Sequence, residues 1–87
     1  MIKHKDKRLK RILKDLQYWR KEIIRSFEEI NKHKFGEDDS RILRETVDRD
    51  KTLIKHIDLL IYAASDLLGL EPPKLIKAPM ITIKNAT

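Results

Sequence analysis

The chain reads as an all-α protein, two long antiparallel helices forming a helical hairpin, and three observations lead there. Neither Pro nor Gly interrupts residues 1–35, apolar residues recur at steps of three and four through two stretches of similar length, and a short Gly-containing segment, "KFGEDDS" at 34–40, separates the two. Helices of matched length joined by a short loop fold back on each other.

The first stripe is Leu9, Ile12, Leu16, Trp19, Ile23, Phe27 and Ile30, with Phe27 one place off the strict register. This near-heptad pattern predicts a helix over about 4–34, roughly 45 Å long at the helical rise. Trp19, the single Trp, lies on the stripe and is expected in the core, or at a contact if the stripe is a dimer seam. Gly36 suits a left-handed cap, and Asp38, Asp39 or Ser40 suits the next N-cap, so the turn falls at 35–39. The second stripe, Leu43, Val47, Asp50, Ile54, Ile57, Ile61, Ala64 and Leu68, predicts a helix over about 40–68, stopped by Gly69 and "EPP".

Leu53, Leu59, Leu60, Ala63 and Leu67 broaden that second stripe, leaving Lys51, Lys55, Asp58, Tyr62, Ser65 and Asp66 as a polar strip. One partner helix covers a narrower face than this. The expectation is a homodimer in which two hairpins pair as an antiparallel four-helix bundle through Leu53, Ile57, Leu60, Ile61, Ala64 and Leu67. The competing cover is the tail, residues 70–87, "LEPPKLIKAPMITIKNAT", an extended unit separate from the hairpin of residues 1–69. Its three prolines exclude helix, and "MITIK" alternates like a short strand. Leu75, Ile76, Met80, Ile81 and Ile83 favour docking, on its own hairpin or on another chain.

Eighty-seven residues make one small domain, which buries only about 60–65% of its unfolded surface, so a second subunit or a partner would add to its stability. The absence of Cys excludes disulfides and thiol chemistry and suits a reducing, cytoplasmic setting. The longest apolar run, Leu59 to Ala64, is far short of the roughly 20 residues that cross a bilayer, so no membrane insertion is expected.

The net charge of +6 is all at one end: residues 1–22 hold nine Lys or Arg against three acids, and residues 23–87 hold eleven of each. Such a block attracts polyanions. In "KHKDKRLKRILK", residues 3–14, seven cations crowd a helix start that the backbone dipole already makes positive, at a cost of about 0.3–1 kcal/mol each where exposed. The hairpin should bring the negative end of the second helix, with Asp66 and Glu71, beside them. Lys7, Arg11, Lys14, Tyr18, Lys21 and Arg25 fall on the face opposite Leu9, Leu16 and Ile23, a rail of roughly 27 Å. It reads either as a solvated face or as a surface for phosphates or an acidic partner, whose binding would weaken with salt. No helix-turn-helix or zinc-finger spacing accompanies it, so base readout is not expected.

Signs of catalysis are sparse. His4, His33 and His56 are isolated, which implies no metal triad. Ser26, Ser40 and Ser65 lack a nucleophile elbow, and two glycines cannot build a phosphate loop. Glu37, Asp38 and Asp39 complement the second helix dipole and lack calcium-loop spacing. Asp50 occupies a seam position, where it would pair with a basic residue of the first helix such as Arg20, or aim at a partner.

Around Asp50, the region Leu16 to Ile57 loosely resembles the small aspartyl-phosphate phosphatases of the sporulation phosphorelay, helical hairpins with an Ile/Leu-Arg entry, a turn Gly and a Ser-Gln-Glu-Leu-Asp motif. "WRKEI", Gly36 and "TVDRD" (Thr46 to Asp50) correspond, with Thr for Ser, Arg49 for Leu and no Gln-Glu pair. The resemblance implies Asp50 as the residue acting on a response regulator. The leading reading remains a small non-enzymatic binding, adaptor or inhibitor protein, of the accessory kind that phages, viruses or plasmids carry. It would engage a larger protein or nucleoprotein machine through its basic face, without cofactor, metal or small-molecule substrate. A nucleic-acid-binding hairpin dimer without base readout and a phosphatase-like hairpin are the alternatives. A protein partner is favoured because the apolar surplus also seeks a surface.

Overall fold

Two helices of 31 residues, α1 (Ile2–Lys32) and α2 (Glu37–Leu67), pack antiparallel as a hairpin, the all-α fold expected from periodicity. The computed structural model describes residues 2–86, with side chains from Asp6 onward, as a rod of 60 × 19 × 15 Å. His4 therefore lies outside the described side chains.

Both helices begin two or three residues earlier than periodicity predicts, and for α2 Gly36 is the reason. Its φ of −65° and ψ of 167° are extended, so it does not close α1 as a left-handed cap. It is instead the N-cap of α2, with its carbonyl accepting the Ser40 N–H at 2.8 Å. Glu37, Asp38 and Asp39 thereby occupy the first turn, where the helix dipole favours carboxylates, and none of them acts as the cap. Ser40, freed from capping, is buried and donates its hydroxyl to Asn85 Oδ1 at 2.9 Å. At the other end Gly69 takes the left-handed conformation with φ of 69°. The Gly69 N–H reaches the Asp66 carbonyl at 3.0 Å and the Leu70 N–H the Ser65 carbonyl at 2.9 Å, the paired bonds of a Schellman motif.

The core is two apolar clusters in series along the rod. Leu13, Ile57, Ile61 and Ala64 form the one near the open end, and Ile24, Phe27, Val47 and Ile54 the one near the turn. Phe27 and Ile61 are fully buried at their centres. The buried stripe of α1 is only partly the one periodicity picks: Phe27 is inside and Leu16, Ile23 and Ile30 pack against the clusters, but Trp19 and Ile12 are exposed, and Leu13, Arg20 and Ile24 are inside in their place. The displacement has a physical cause, because α1 must face a third element as well as α2.

That element is the tail. From Gly69 the chain reverses and runs parallel to α1 along the groove between the helices, Leu75 packing on the first cluster and Ala78, Ile81 and Ile83 on the second. Its far end, β2 (Lys84–Asn85), pairs in parallel with β1 (Lys34–Phe35), Lys34 opposite Lys84 and Phe35 opposite Asn85. The pairing involves only the last residue of "MITIK". Asn31 clamps the tail backbone from α1: its amide donates to the Met80 carbonyl and its Oδ1 accepts the Thr82 N–H, both at 2.9 Å.

Two outcomes follow from this packing. Phe27→Ala should destabilise the fold by about 3–5 kcal/mol, the cost of emptying a fully buried aromatic site, read from the urea midpoint of the far-UV circular dichroism signal. Asn31→Ala should speed hydrogen exchange at the Thr82 amide while leaving mid-helix amides unchanged, since it removes only the clamp on the tail.

Candidate polyanion interface

Between the two clusters sits a charge. Arg20 is buried, and its Nε donates to Asp58 Oδ1 at 2.7 Å while its Nη1 donates to the Ile76 carbonyl of the tail. One guanidinium thus ties α1, α2 and the tail together. A pairing of Arg20 with α2 was expected, but with Asp50; Asp58 is the partner, because it lies on the side of α2 that turns toward the tail. Asp50 is half-buried with Arg49 Nε 3.9 Å away.

Beside the apolar sites on which the tail packs, part of the α2 polar strip also faces it. Lys51, Lys55 and Asp58 line a groove with Lys77, Pro79 and Met80, of about 380 Å³. On the other flank, Lys14, Tyr18, Lys21 and Arg25 line a groove of about 520 Å³ with Lys74, Leu75 and Ile76. Four members of the predicted rail therefore open onto a single groove, and the tail adds a lysine to each flank. Lys7 and Arg11 are exposed on α1 toward the open end. Among the described residues no carboxylate lies within ion-pair distance of Lys7, Arg11, Lys14 or Lys21, while Arg25 approaches Glu22 at 3.6 Å. Asp66 and Glu71 form no ion pair with the described cations of the α1 start, so relief of that charge is limited to longer-range attraction. At the turn end, Glu29 has its carboxyl held below the usual range by the hydrogen bond and charge of Lys32, with His33 adding to both.

The tail does not cover the broad apolar face of α2. At about 100° per residue, Leu53, Leu60 and Leu67 project from the side of α2 opposite Lys51, Lys55 and Asp58. Trp19 and Ile12 project on the same side of α1, away from the tail groove, and all five are exposed, Trp19 at 60% and Leu67 at 72%. Trp19 is thus a surface residue and not a core one, its ring edge-on to Tyr18 at 6.2 Å. Of the six residues expected at a dimer seam, Ile57, Ile61 and Ala64 are consumed by the hairpin's own core, because they face α1. Leu53, Leu60 and Leu67 remain outside.

His33 and His56 are exposed and far apart along the rod. Among the described residues no group of three or more His, Cys, Asp and Glu side chains converges as metal ligands would. No described helix is long and apolar enough to cross a membrane. In comparison with known proteins, no family model matches the chain, and no curated protein or solved structure matches it.

Asp58→Ala should leave the Arg20 charge stranded and cost about 2–3 kcal/mol, more than loss of an exposed pair, because hydrogen bonds to buried charged groups are expensive to break. Arg49→Ala, which breaks only the long contact to Asp50, should shift the urea midpoint little; equal shifts would contradict the role given to Arg20.

Proposed function

We propose that this chain is a non-enzymatic nucleic-acid-binding hairpin, which grips phosphates through its tail-bearing face and works as a homodimer joined through the opposite face. The reading rests on one observation: the cations that line the tail grooves lie on the opposite side of the rod from the exposed Leu53, Leu60 and Leu67 of α2 and Ile12 and Trp19 of α1. The preference for a protein partner, drawn from sequence, rests on the lack of a base-readout motif and on an apolar surplus that also seeks a surface. Leu53, Leu60 and Trp19 lie across the molecule from Lys14, Lys21 and Lys51. A face rich in Lys, whose ammonium is a point charge without the bidentate fork of Arg, suits diffuse contact with phosphates. Each such contact releases condensed counterions. A Cys-free chain of this kind fits the reducing cytoplasm.

The apolar face supports the dimer. Ile12, Trp19, Leu53, Leu60 and Leu67, all large and exposed, form an apolar patch of the kind that marks an interaction surface. Leucines seven residues apart form a helix-on-helix seam, and a two-fold axis would bring the same face of a second copy onto it. The two cationic faces would then point outward on opposite sides of a four-helix bundle.

A second reading has its own support. Ile76 and Met80, exposed at 77% and 90%, stand on the tail among the cations and would give an acidic protein surface apolar contacts as well as charge. In that case the chain is an adaptor or inhibitor, and Ile76→Ser with Met80→Ser weakens binding more than added salt does.

Affinity for mixed-sequence DNA and RNA, measured by fluorescence anisotropy, should fall linearly with the logarithm of salt, with a slope of about −0.7 to −0.9 per phosphate neutralised. Lys14→Glu combined with Lys21→Glu should lower affinity at least about tenfold and flatten that slope. No binding at 50 mM salt by the folded protein would overturn the nucleic-acid reading. Sedimentation equilibrium should give a dimer that Leu60→Glu converts to a folded monomer; a monomeric wild type at high micromolar concentration would overturn the dimer.

A further inference from the structure

The groove between α1 and the tail has a chemistry that a plain basic face lacks. Its rim is mainly cationic, with Lys14, Lys21 and Arg25 on α1 and Lys74 on the tail against the single carboxylate of Glu28. Its floor is apolar, with Ile24 and Leu75, and Tyr18 stands in its wall. A duplex presents phosphates to a protein surface and keeps its bases stacked inside, so it would touch only the rim. An apolar floor contributes to binding when the ligand is anionic along its edge and flat and apolar in the middle. An unstacked nucleobase flanked by its phosphates is such a ligand.

We propose that this groove binds a single-stranded nucleic acid segment, phosphates on Lys14, Lys21, Arg25 and Lys74 and one base stacked on Tyr18. The proposal rests on the nucleic-acid reading above and deepens it by naming the strand state. The volume of about 520 Å³ lies within the ~300–1,000 Å³ range of ligand pockets, room for a base and its sugar but not for a duplex. Tyr18 is 59% exposed and meets Trp19 in a T-shaped contact at 6.2 Å, so most of its side chain is accessible to a base. A cationic groove that tracks the backbone, combined with an aromatic on which a base stacks, is the general solution for sequence-tolerant single-strand binding. Tyr18 interrupts the rail between Lys14 and Lys21, so phosphates on either side of one stacked base would each meet a cation.

The test compares a labelled oligothymidine with a duplex of equal length, using the full chain, wild type and two variants. Single strands should bind more tightly than duplex at equal salt. Tyr18→Ala should weaken single-strand binding by about 5–100-fold, the range for loss of one base–aromatic stack, and leave duplex binding within about twofold. Tyr18→Phe should retain wild-type affinity, because the ring and not the hydroxyl carries the contact. Ultraviolet cross-linking of bound oligothymidine should attach to the peptide containing Tyr18. Duplex bound as tightly as single strand, with Tyr18→Ala indifferent, would overturn the single-strand assignment while leaving the phosphate-binding reading intact. Failure of both ligands to bind would overturn the two together.

Discussion

The structure depends on a buried guanidinium. Arg20 lies in the middle of α1 between the two apolar clusters, where water cannot solvate it, and burial of an ion costs several kcal/mol unless partners replace that water. Asp58 and the Ile76 carbonyl are those partners. A Leu at position 20 would join the clusters into one core, and a well-packed apolar replacement is often no less stable than a buried ion pair. What Arg20 adds is register: the pair forms only when α2 is aligned to present Asp58 and the tail to present one particular carbonyl. Dispersion contacts tolerate a slip by a turn far better than a short charged hydrogen bond does.

Fixing the tail on that side determines the two faces of the rod. The groove between the helices has two sides, and the apolar residues of the tail could in principle lie against Leu53 and Leu60 as well as against Ile54 and Phe27. Arg20 and Asp58 favour the second arrangement, with Asn31 and the β1–β2 pairing holding the far end. The tail then lies beside the polar strip of α2, on composition alone the poorer hydrophobic choice. Its backbone carbonyls and N–H groups need polar partners, however, and Arg20, Asn31 and the Phe35 carbonyl supply them. A face of leucines would leave those groups without partners.

The hairpin was legible in the sequence, because stripe, turn and stop signals are local properties that survive folding. The element ends were less so: Gly36 served a neighbouring helix as N-cap, and an extended glycine is indistinguishable in sequence from a left-handed one. The α1 face was misread by one position through Trp19 and Ile12, since the true seam passes through Arg20, and a charged residue at a seam hides the pattern it belongs to. The same signal was available on α2, where Asp58 and Ser65 fall in register with Ile54 and Ile61. A matched pair of polar residues at mid-helix on both strands of a hairpin is the clue that would have identified a third element. The rail on α1 was legible from spacing, but its extension was not, because Lys74 and Lys77 join it only through the path of the tail.

Charge links the fold to its proposed ligand. Among the described residues Lys7, Arg11, Lys14 and Lys21 have no carboxylate within ion-pair distance, and these cations, joined by the lysines of the tail, repel one another and oppose the dipole at the helix start. The tail is held against this repulsion by a handful of hydrogen bonds and four apolar side chains. A polyanion lying between the rail and Lys74 would turn mutual repulsion into shared attraction, so a ligand for that groove binds the docked tail better than the released one. By linkage, binding then stabilises the tail as much as the docked tail improves binding. The charge density that limits the stability of the free protein is the same charge density that would make the groove selective for an anionic chain. Neutralising it to strengthen the fold would remove the site.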